Sequence, residues 1–436
     1  MSITAGGVPV ASGTELHLGT EVTVTATPAK ETTQVSWEGT FHDGTTPTGR
    51  SFTFAVSGPV SFHAVFSSAW EYDADAATIS DGYWTLKAEQ VDAVDAMART
   101  LKIPTTTDTL DATRTGELNL MGPIYTKGSV GGEALRWTIV EIADKAFHKA
   151  TARITSFYAP TTLTNIGYQA FNEVGTFENV VLKCPGLTAD FGLWGYMFCG
   201  SGLARFVFDV PKLAVVGRGA NPNFASATFS ETDLSEWNLT NLKTIRDNGF
   251  ALNNGPGPQG TLVLPNVETI GANAFKGWTR HTAAVLGTNG TLKSLGGKIF
   301  ANNTLALKKL DFGTSVAFEV AADTFLAADD TPLPLEEVWF AGEAPSVDAL
   351  DALLALRTGG DDGTKPVKIY APMKMDSWQA VRKPFEGSER TVALAIRKQT
   401  GHRVIGVYVT QDGRRAAWLV QNPNFPYSTG MRFVIR

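Results

Sequence analysis

The sequence predicts an α+β solenoid, and three observations carry that prediction. Phenylalanines recur at positions 147, 171, 198, 224, 250, 275, 300 and 325, with gaps of 24, 27, 26, 26, 25, 25 and 25 residues. A fixed period in the twenties marks repeated short units, each burying its apolar face against the next. Second, an aliphatic residue stands five positions before most of these rings: Ile142, Ile166, Leu193, Ile245, Ile270, Leu295 and Val320. The unit ending at Phe224 departs, with Gly219 at that place inside a glycine-rich insertion. Third, a short alternating apolar run follows each ring.

The phenylalanine units read EIADKAF, NIGYQAF, TIRDNGF, TIGANAF, SLGGKIF and EVAADTF. One helical turn would place the aliphatic residue and the Phe on the same side. The small residues Ala146, Ala170 and Ala274 would let backbones approach closely. The runs that follow are ENVVLKCP, ARFVFDVP, GTLVLP, KKLDFG and EEVWFAG, which alternate and are rich in β-branched and aromatic residues. Such runs read as strands, each ended by Pro or Gly. Stacked about 4.8 Å apart, they would form a parallel sheet. One strand and one helical turn in about 25 residues is the leucine-rich-repeat plan. The expected solenoid therefore has about eight repeats, over residues 137–372. A mixed globular domain would not keep rings and strands in register, and the helical turn argues against a parallel β-helix.

The phrase LVLPNVETIGANAF (262–275), with aliphatic-Gly-x-x-Ala-Phe repeating in register, resembles the BspA-like leucine-rich repeats of bacterial surface proteins. The resemblance implies the fold and a place on cell surfaces. That family's repeats hold no catalytic residues, so it supplies no site.

The two ends have a different grain. Residues 1–66 alternate strictly, as in ELHLGTEVTVTATPAKETTQVSWEG (15–39) and SFTFAVSGPVSFHAVF (51–66). This reads as a small antiparallel all-β module with Trp37, Phe54, Phe62 and Phe66 as its core. Its Val-Thr-x-Thr-Ala-x-Pro, Trp37 before Gly39 and closing Val-x-Phe-x-Ala-Val-Phe resemble the divergent internalin B-repeat, with HDGTTPTGR (42–50) as its variable loop. Residues 67–136 read as a connection and N-terminal cap. They hold a hairpin turn at Asp81-Gly82 and a first imperfect strand in GELNLMGPI (116–124). Residues 373–436 read as a C-terminal cap or a small separate sheet. They contain a closing helix in DSWQAVRKPF, a hairpin about Asp412-Gly413 and a last strand in MRFVIR.

Composition bounds the function. The 436 residues are 43% hydrophobic and only 18% charged, which suits an extracellular β-protein. No apolar run is long enough to span a membrane. The start MSITAGGVPV has neither a basic segment nor an apolar stretch; an exported protein needs both, so we expect a removed export signal upstream. Net charge is -6 with no basic stripe, which argues against nucleic-acid binding.

Cys184 and Cys199 fall at different registers of adjacent repeats, so two free, largely buried thiols are expected. His17, His42, His63, His148, His281 and His402 have no metal-ligand spacing and read as lone exposed side chains. GRGANP (217–222) and LGGKIF (295–300) miss the dinucleotide and phosphate loops, and there is no Gly-x-Ser-x-Gly elbow. YDADAATISDG (72–82) resembles a calcium loop but is broken at Ala77. No metal, cofactor or catalytic residue is assigned. A glycosidase would need two carboxylates, and no pair stands out.

The expected function is binding. If Val180, Leu182, Phe206 and Phe208 point inward, the outward positions include Lys183, Arg205 and Asp209, and by the same register Tyr158, Trp339 and Tyr370. These six are the candidate ligand-binding residues, with a protein or glycan outside the cell as ligand and the chain acting as a monomer. Exposed aromatics suit stacking on sugars or filling a partner's pocket. The alternative is a structural spacer or stalk, as the N-terminal module suggests.

Overall fold

The structure is a computed structural model. It describes residues 2–424 except 12, 28–33, 41–46, 48, 59, 92–98, 106–113, 129–135, 151–152, 189–196, 218–223, 226, 254, 303–306, 316, 331–332, 355–366, 388 and 412–415. Leu193, Gly219, the Asp412-Gly413 turn, most of the 42–50 loop and the MRFVIR strand lie outside the described residues.

Among the described residues, twelve strands lie along the broad side of the solenoid. They are β1 (Thr115–Asn119), β2 (Arg153–Tyr158), β3 (Asn179–Lys183), β4 (Arg205–Asp209), β5 (Trp237–Asn238), β6 (Gly260–Leu264), β7 (His281–Leu286), β8 (Lys309–Asp311), β9 (Glu337–Trp339), β10 (Val367–Ala371), β11 (Val404–Val409) and β12 (Ala416–Gln421). The first five form one parallel sheet in chain order. The rest form a second sheet, β6-β7-β8-β9-β10-β12-β11, in which only β11 runs antiparallel. A single parallel bridge, Asp233 to Gln259, spans the gap between the sheets. Between β3 and β4 register is unbroken, Val180 to Phe206 and Leu182 to Phe208, so inward residue meets inward residue; it shifts once within β1–β2, β6–β7 and β11–β12.

The recurring rings are the spine of the core. Phe147, Phe171, Phe198, Phe224, Phe250, Phe275 and Phe300 stack in sequence, with centroids 5.3, 5.2, 5.6, 5.8, 5.8 and 5.4 Å apart and planes within 17° of parallel. Phe325 is buried in the same core. Each stacked pair adds about 1 kcal/mol to what burial of its area contributes.

The turn that carries each ring differs from the expected helical one. Ile166, Ile245, Ile270, Leu295 and Val320 each lie in a two-residue strand, and Ile142 ends the longer strand Arg136–Ile142; Val215–Val216, Thr244–Ile245, Thr269–Ile270, Ser294–Leu295 and Glu319–Val320 pair in parallel as a narrow sheet. The next residues include a left-handed bend: Lys145, Gln169, Asn248, Asn273 and Lys298, each two before its Phe, have φ between 51° and 57°. From that bend on, every second N–H points toward the following coil. Lys145, Phe147 and Lys149 donate to the carbonyls of Tyr168, Ala170 and Asn172 at 2.8, 2.8 and 3.0 Å; Asn248, Phe250 and Leu252 repeat the pattern on Ala272, Ala274 and Lys276. An α-helix would keep these bonds within the coil; here they join coil to coil.

The glycine of the repeat phrase follows from this closeness. A Cβ on Gly167 would lie 2.2 Å from the Asp144 amide nitrogen, and one on Gly271 would lie 2.4 Å from that of Asp247. The same two aspartates accept the N–H of Tyr168 and Ala272 at 2.7 and 2.8 Å.

Before the coils, the strands Trp70–Asp73, Thr78–Ser80, Thr85–Lys87, Glu89–Gln90, Thr100–Ile103, Ile124–Thr126 and Arg136–Ile142 form a mixed sheet. Its Trp70, Tyr72, Ile79, Trp84, Leu86 and Leu101 join the solenoid core without a break. The hairpin turn stands where expected, held by Asp81, whose carboxylate accepts the N–H of Tyr83 and Trp84 at 2.8 and 2.7 Å. The acidic run 72–82 has a structural use. Asp73 accepts the N–H groups of Asp75 and Ala76 and pairs with Lys127 at 2.6 Å, which holds its carboxyl below the usual range.

At the N-terminus, Ser2–Ala5, Val8–Pro9, Glu21–Thr25 and Ser51–Ala55 form an antiparallel sheet, and Gln34–Thr40 pairs with Ser61–Ser67. Trp37 is buried with Val22, Val24 and Ala26, and Phe54 and Phe62 pack against them. Phe66 lies on Ser61–Ser67, and its side chain is outside what is described.

At the other end, β12 and β11 extend the second sheet, so residues 404–421 are not a separate sheet. Among the described residues, three helices accompany this end: α1 (Val347–Leu354), α2 (Asp376–Val381) and α3 (Glu389–Thr400). Helix α2 is the expected closing helix, with Trp378 buried. Helix α1 is tied to β11 by the Tyr408 hydroxyl, which donates to Asp351 at 2.5 Å.

Both cysteines are free; Cys184 is buried, which pushes its thiol up to about 12, and Cys199 is half-buried. Of the histidines whose side chains are described, His17 is exposed as expected, His148 and His402 are half-buried, and His281 departs furthest. His281 is fully buried between Trp278 and Phe300, with centroids 5.6 and 5.0 Å away.

Candidate functional site

Alternation along each strand leaves one side chain in two on the outer face of the broad sheets. Register then lines these up in rows across strands. On the first sheet one row is Tyr158, Val181 and Val207, flanked by Ser156, Asn179 and Arg205 on one side and by Lys183 and Asp209 on the other. On the second sheet one row is Val263, Val285, Asp311, Trp339, Tyr370 and Val420. Beside it runs Thr261, Ala283, Lys309, Glu337, Lys368 and Trp418.

The six candidate residues therefore fall on one face, in two groups, but not all at its surface. Tyr158 is only 5% exposed, packed with Val181, Val207 and Met121, and its hydroxyl accepts the Asn179 amide at 3.2 Å. Tyr370 is only 2% exposed. Ala393 and Ile396 of α3, with Val404, Val407, Trp418 and Val420, bury it in a second apolar cluster outside the main core. Both tyrosines correct the expectation of exposed aromatics: alternation sets the face, but a neighbouring segment covers it. Burial and the nearby Glu337 carboxylate push the Tyr370 hydroxyl up to about 12.

Trp339 is half-buried and built into a network. Its ring stacks on Tyr370 at 4.1 Å and 11°, and the Lys309 ammonium lies 4.3 Å from the ring centre. Its Nε1–H donates to Glu337 at 3.0 Å, and Lys368 stands 3.9 Å from the same carboxylate. One ring face is thus closed by tyrosine and the other holds a cation, which an incoming group would displace.

Lys183, Arg205 and Asp209 are half-buried. Arg205 donates to Asn179 at 3.2 Å and pairs with Glu236. The sequence reading placed Asn179 on the outer face but missed Glu236, Lys309 and Glu337; alternation and register alone would have found the last two, since Glu337 lies two residues before Trp339 on the same strand and Lys309 pairs with Glu337 from the neighbouring one.

Among the described residues, coverage of this face is uneven. Met121 lies over one end and α3 over the other. Between them, β6 to β9 present Thr261, Val263, Ala283, Val285, Lys309, Asp311, Glu337 and Trp339 as exposed or half-buried side chains. Val263 is 53% exposed, a large apolar side chain left in water. No group of three or more His, Cys, Asp or Glu able to hold a metal occurs among the described residues. No helix among them is long and apolar enough to cross a membrane.

Residues 137–208 and 258–325 match the family model for the BspA type leucine-rich repeat region, in six copies. The chain is similar to the crystal structure of a Treponema pallidum leucine-rich repeat protein, at 19% identity over 57% of this chain and 88% of that one, with a TM-score of 0.31. It is similar to a leucine-rich repeat protein from Bacteroides ovatus, at 14% identity over 58% and 83% of the two chains, with a TM-score of 0.20. A leucine-rich cell surface protein of Faecalibacterium prausnitzii is 14% identical over 70% and 97%, with a TM-score of 0.22. No curated protein matches the sequence.

Proposed function

We propose that this chain, whose residues 137–208 and 258–325 are BspA-type leucine-rich repeats, is a non-enzymatic bacterial binding protein of the cell surface or its surroundings. Its ligand, a protein or glycan outside the cell, would rest on the outer face of β6 to β9. The observation that supports this is the uncovered strip itself. Both ends of the outer face are packed over, while the middle keeps Val263 in water in the same row as Asp311 and Trp339, with Lys309 in the row beside it. A strip that mixes apolar side chains (Val263, Val285, Trp339) with charged ones (Lys309, Asp311, Glu337) suits an extended ligand better than a small substrate, which needs a concave pocket. We further read the chain as four units, 1–66, 67–136, 137–372 and 373–436, with the second and fourth covering the ends of the repeat stack.

The test is binding to arrays of glycans and extracellular proteins, followed by substitution. Trp339→Ala should weaken any saturable binding at least about tenfold, the scale of an interface hot spot. Asn172→Ala, on the phenylalanine turn, should leave it unchanged. If no ligand saturates the protein, the spacer role replaces the adhesive one.

A further inference from the structure

The outer face of the second sheet does not end at Trp339. Its two rows continue through Tyr370 and Val420 and through Lys368 and Trp418, and there α3 lies over them. How α3 is held decides whether that cover is permanent. Its buried side chains are Ala393 and Ile396, packed with Tyr370, Val404, Val407, Trp418 and Val420, and Val392 rests on the same cluster. Its hydrogen bonds are local: the Thr400 hydroxyl donates to the Ile396 carbonyl, and the Glu386 N–H to the Glu389 carboxylate, both at 2.8 Å. Among the described residues, no hydrogen bond or ion pair joins residues 389–400 to β10, β11 or β12. The neighbouring helices differ. Helix α1 holds Tyr408 and Gln411 through Asp351 and Asp348, and in α2 the Trp378 Nε1–H donates to Gly342 at 2.9 Å.

The chain is fixed again just outside α3 at both ends. Before it, Lys383 bridges Val407 at 2.7 and 3.1 Å, and the Phe385 ring stacks on Trp418 at 5.9 Å. After it, the Arg403 carbonyl accepts the Gln421 N–H at 2.8 Å. Between each anchor and the helix stands a glycine in left-handed backbone, Gly387 with φ 50° and Gly401 with φ 74°, and a Cβ on either would meet nothing within 4 Å. A helix of 12 residues has little stability in water by itself, so α3 keeps its order only while its apolar side rests on the sheet. Leu394, on its other side, is 59% exposed and adds no second contact.

We propose that α3 is a flap that lifts on Gly387 and Gly401 and so regulates the length of the binding strip. Closed, the strip stops at Trp339; open, Tyr370, Trp418 and Val420 extend it across β10 and β12. This rests on the reading of the outer face as the binding surface. The lifting is measured without any ligand, so its failure is separate from the failure of that reading.

The experiment uses the full chain with Cys199→Ser and Val420→Cys, and the thiol reagent dithiobisnitrobenzoate as probe. Val420 is 0% exposed under α3, and Cys184, 0% exposed in the main core, reports unfolding of the whole repeat stack. The thiol introduced at position 420 should react at least about a hundredfold faster than Cys184, because a local opening is easier than global unfolding. Ile396→Ala should speed that reaction at least about tenfold again, and Leu394→Ala about twofold at most. In the chain without substitutions, α3 amides should exchange hydrogen ahead of those of β10 and β12, at rates that barely change in low urea. That measurement serves if the new thiol disturbs packing. The proposal is overturned if the thiol at position 420 reacts no faster than Cys184, if Ile396→Ala leaves its rate unchanged, or if α3 amides exchange together with those of β10 and β12.

Discussion

His281 is fully buried at the start of β7, and burial pulls its imidazole down to about 3. An unfolded chain would bind that proton near pH 6.5, so between pH 6.5 and 3 the unfolded state holds more protons than the folded one. Stability from this residue is therefore complete above pH 6.5 and falls by about 1.4 kcal/mol per pH unit below it. Urea unfolding at pH 6.5 and pH 5 should show a fall for the native chain that His281→Leu reduces by about 2 kcal/mol. Equal falls for both would show that the imidazole is hydrated. The sequence did not reveal this burial. A histidine outside the periodic positions carries no signal of its side, and the aromatic neighbours Trp278 and Phe300 meet it only after the coil closes.

At the scale of the element, the turn around each phenylalanine shows what periodicity resolves. The spacing of an aliphatic residue five before the ring is met by a helical turn and equally by a two-residue strand followed by a left-handed bend. Both place the two side chains inward. The glycine four before the ring distinguishes them, because only the second brings the backbone of one coil against that of the coil before it. Gly271→Ala should therefore cost about 2–4 kcal/mol in denaturant unfolding, since its Cβ meets a backbone nitrogen that cannot rotate away. Gly387→Ala, whose Cβ would meet nothing within 4 Å, should cost about 1 kcal/mol from its φ of 50° alone. Equal costs would contradict the close approach. Helix α3 marks another limit of sequence reading. The alternation of β10 placed Tyr370 on the outer face, yet Ala393 and Ile396 cover it from a segment with no repeat of its own.

At the scale of the molecule, the stacked plan was legible because seven gaps of nearly constant length cannot arise from unrelated packing. The ends were less legible, since they do not repeat and their strands merge with the repeat sheet and core only through register. The outer face was partly legible: alternation sets Lys183, Arg205, Asp209 and Trp339 on that face, but the ion pairs and coverage around them depend on residues distant in sequence. All of it depends on one continuous column of rings, each coil supported by the coils beside it. Ring-to-ring nuclear Overhauser contacts in a phenylalanine-labelled sample test that column most directly. They should connect Phe147 to Phe171 and continue in order to Phe300, because successive centroids lie 5.2–5.8 Å apart. Rings that contact only residues of their own coil, with no such chain of contacts, would contradict it.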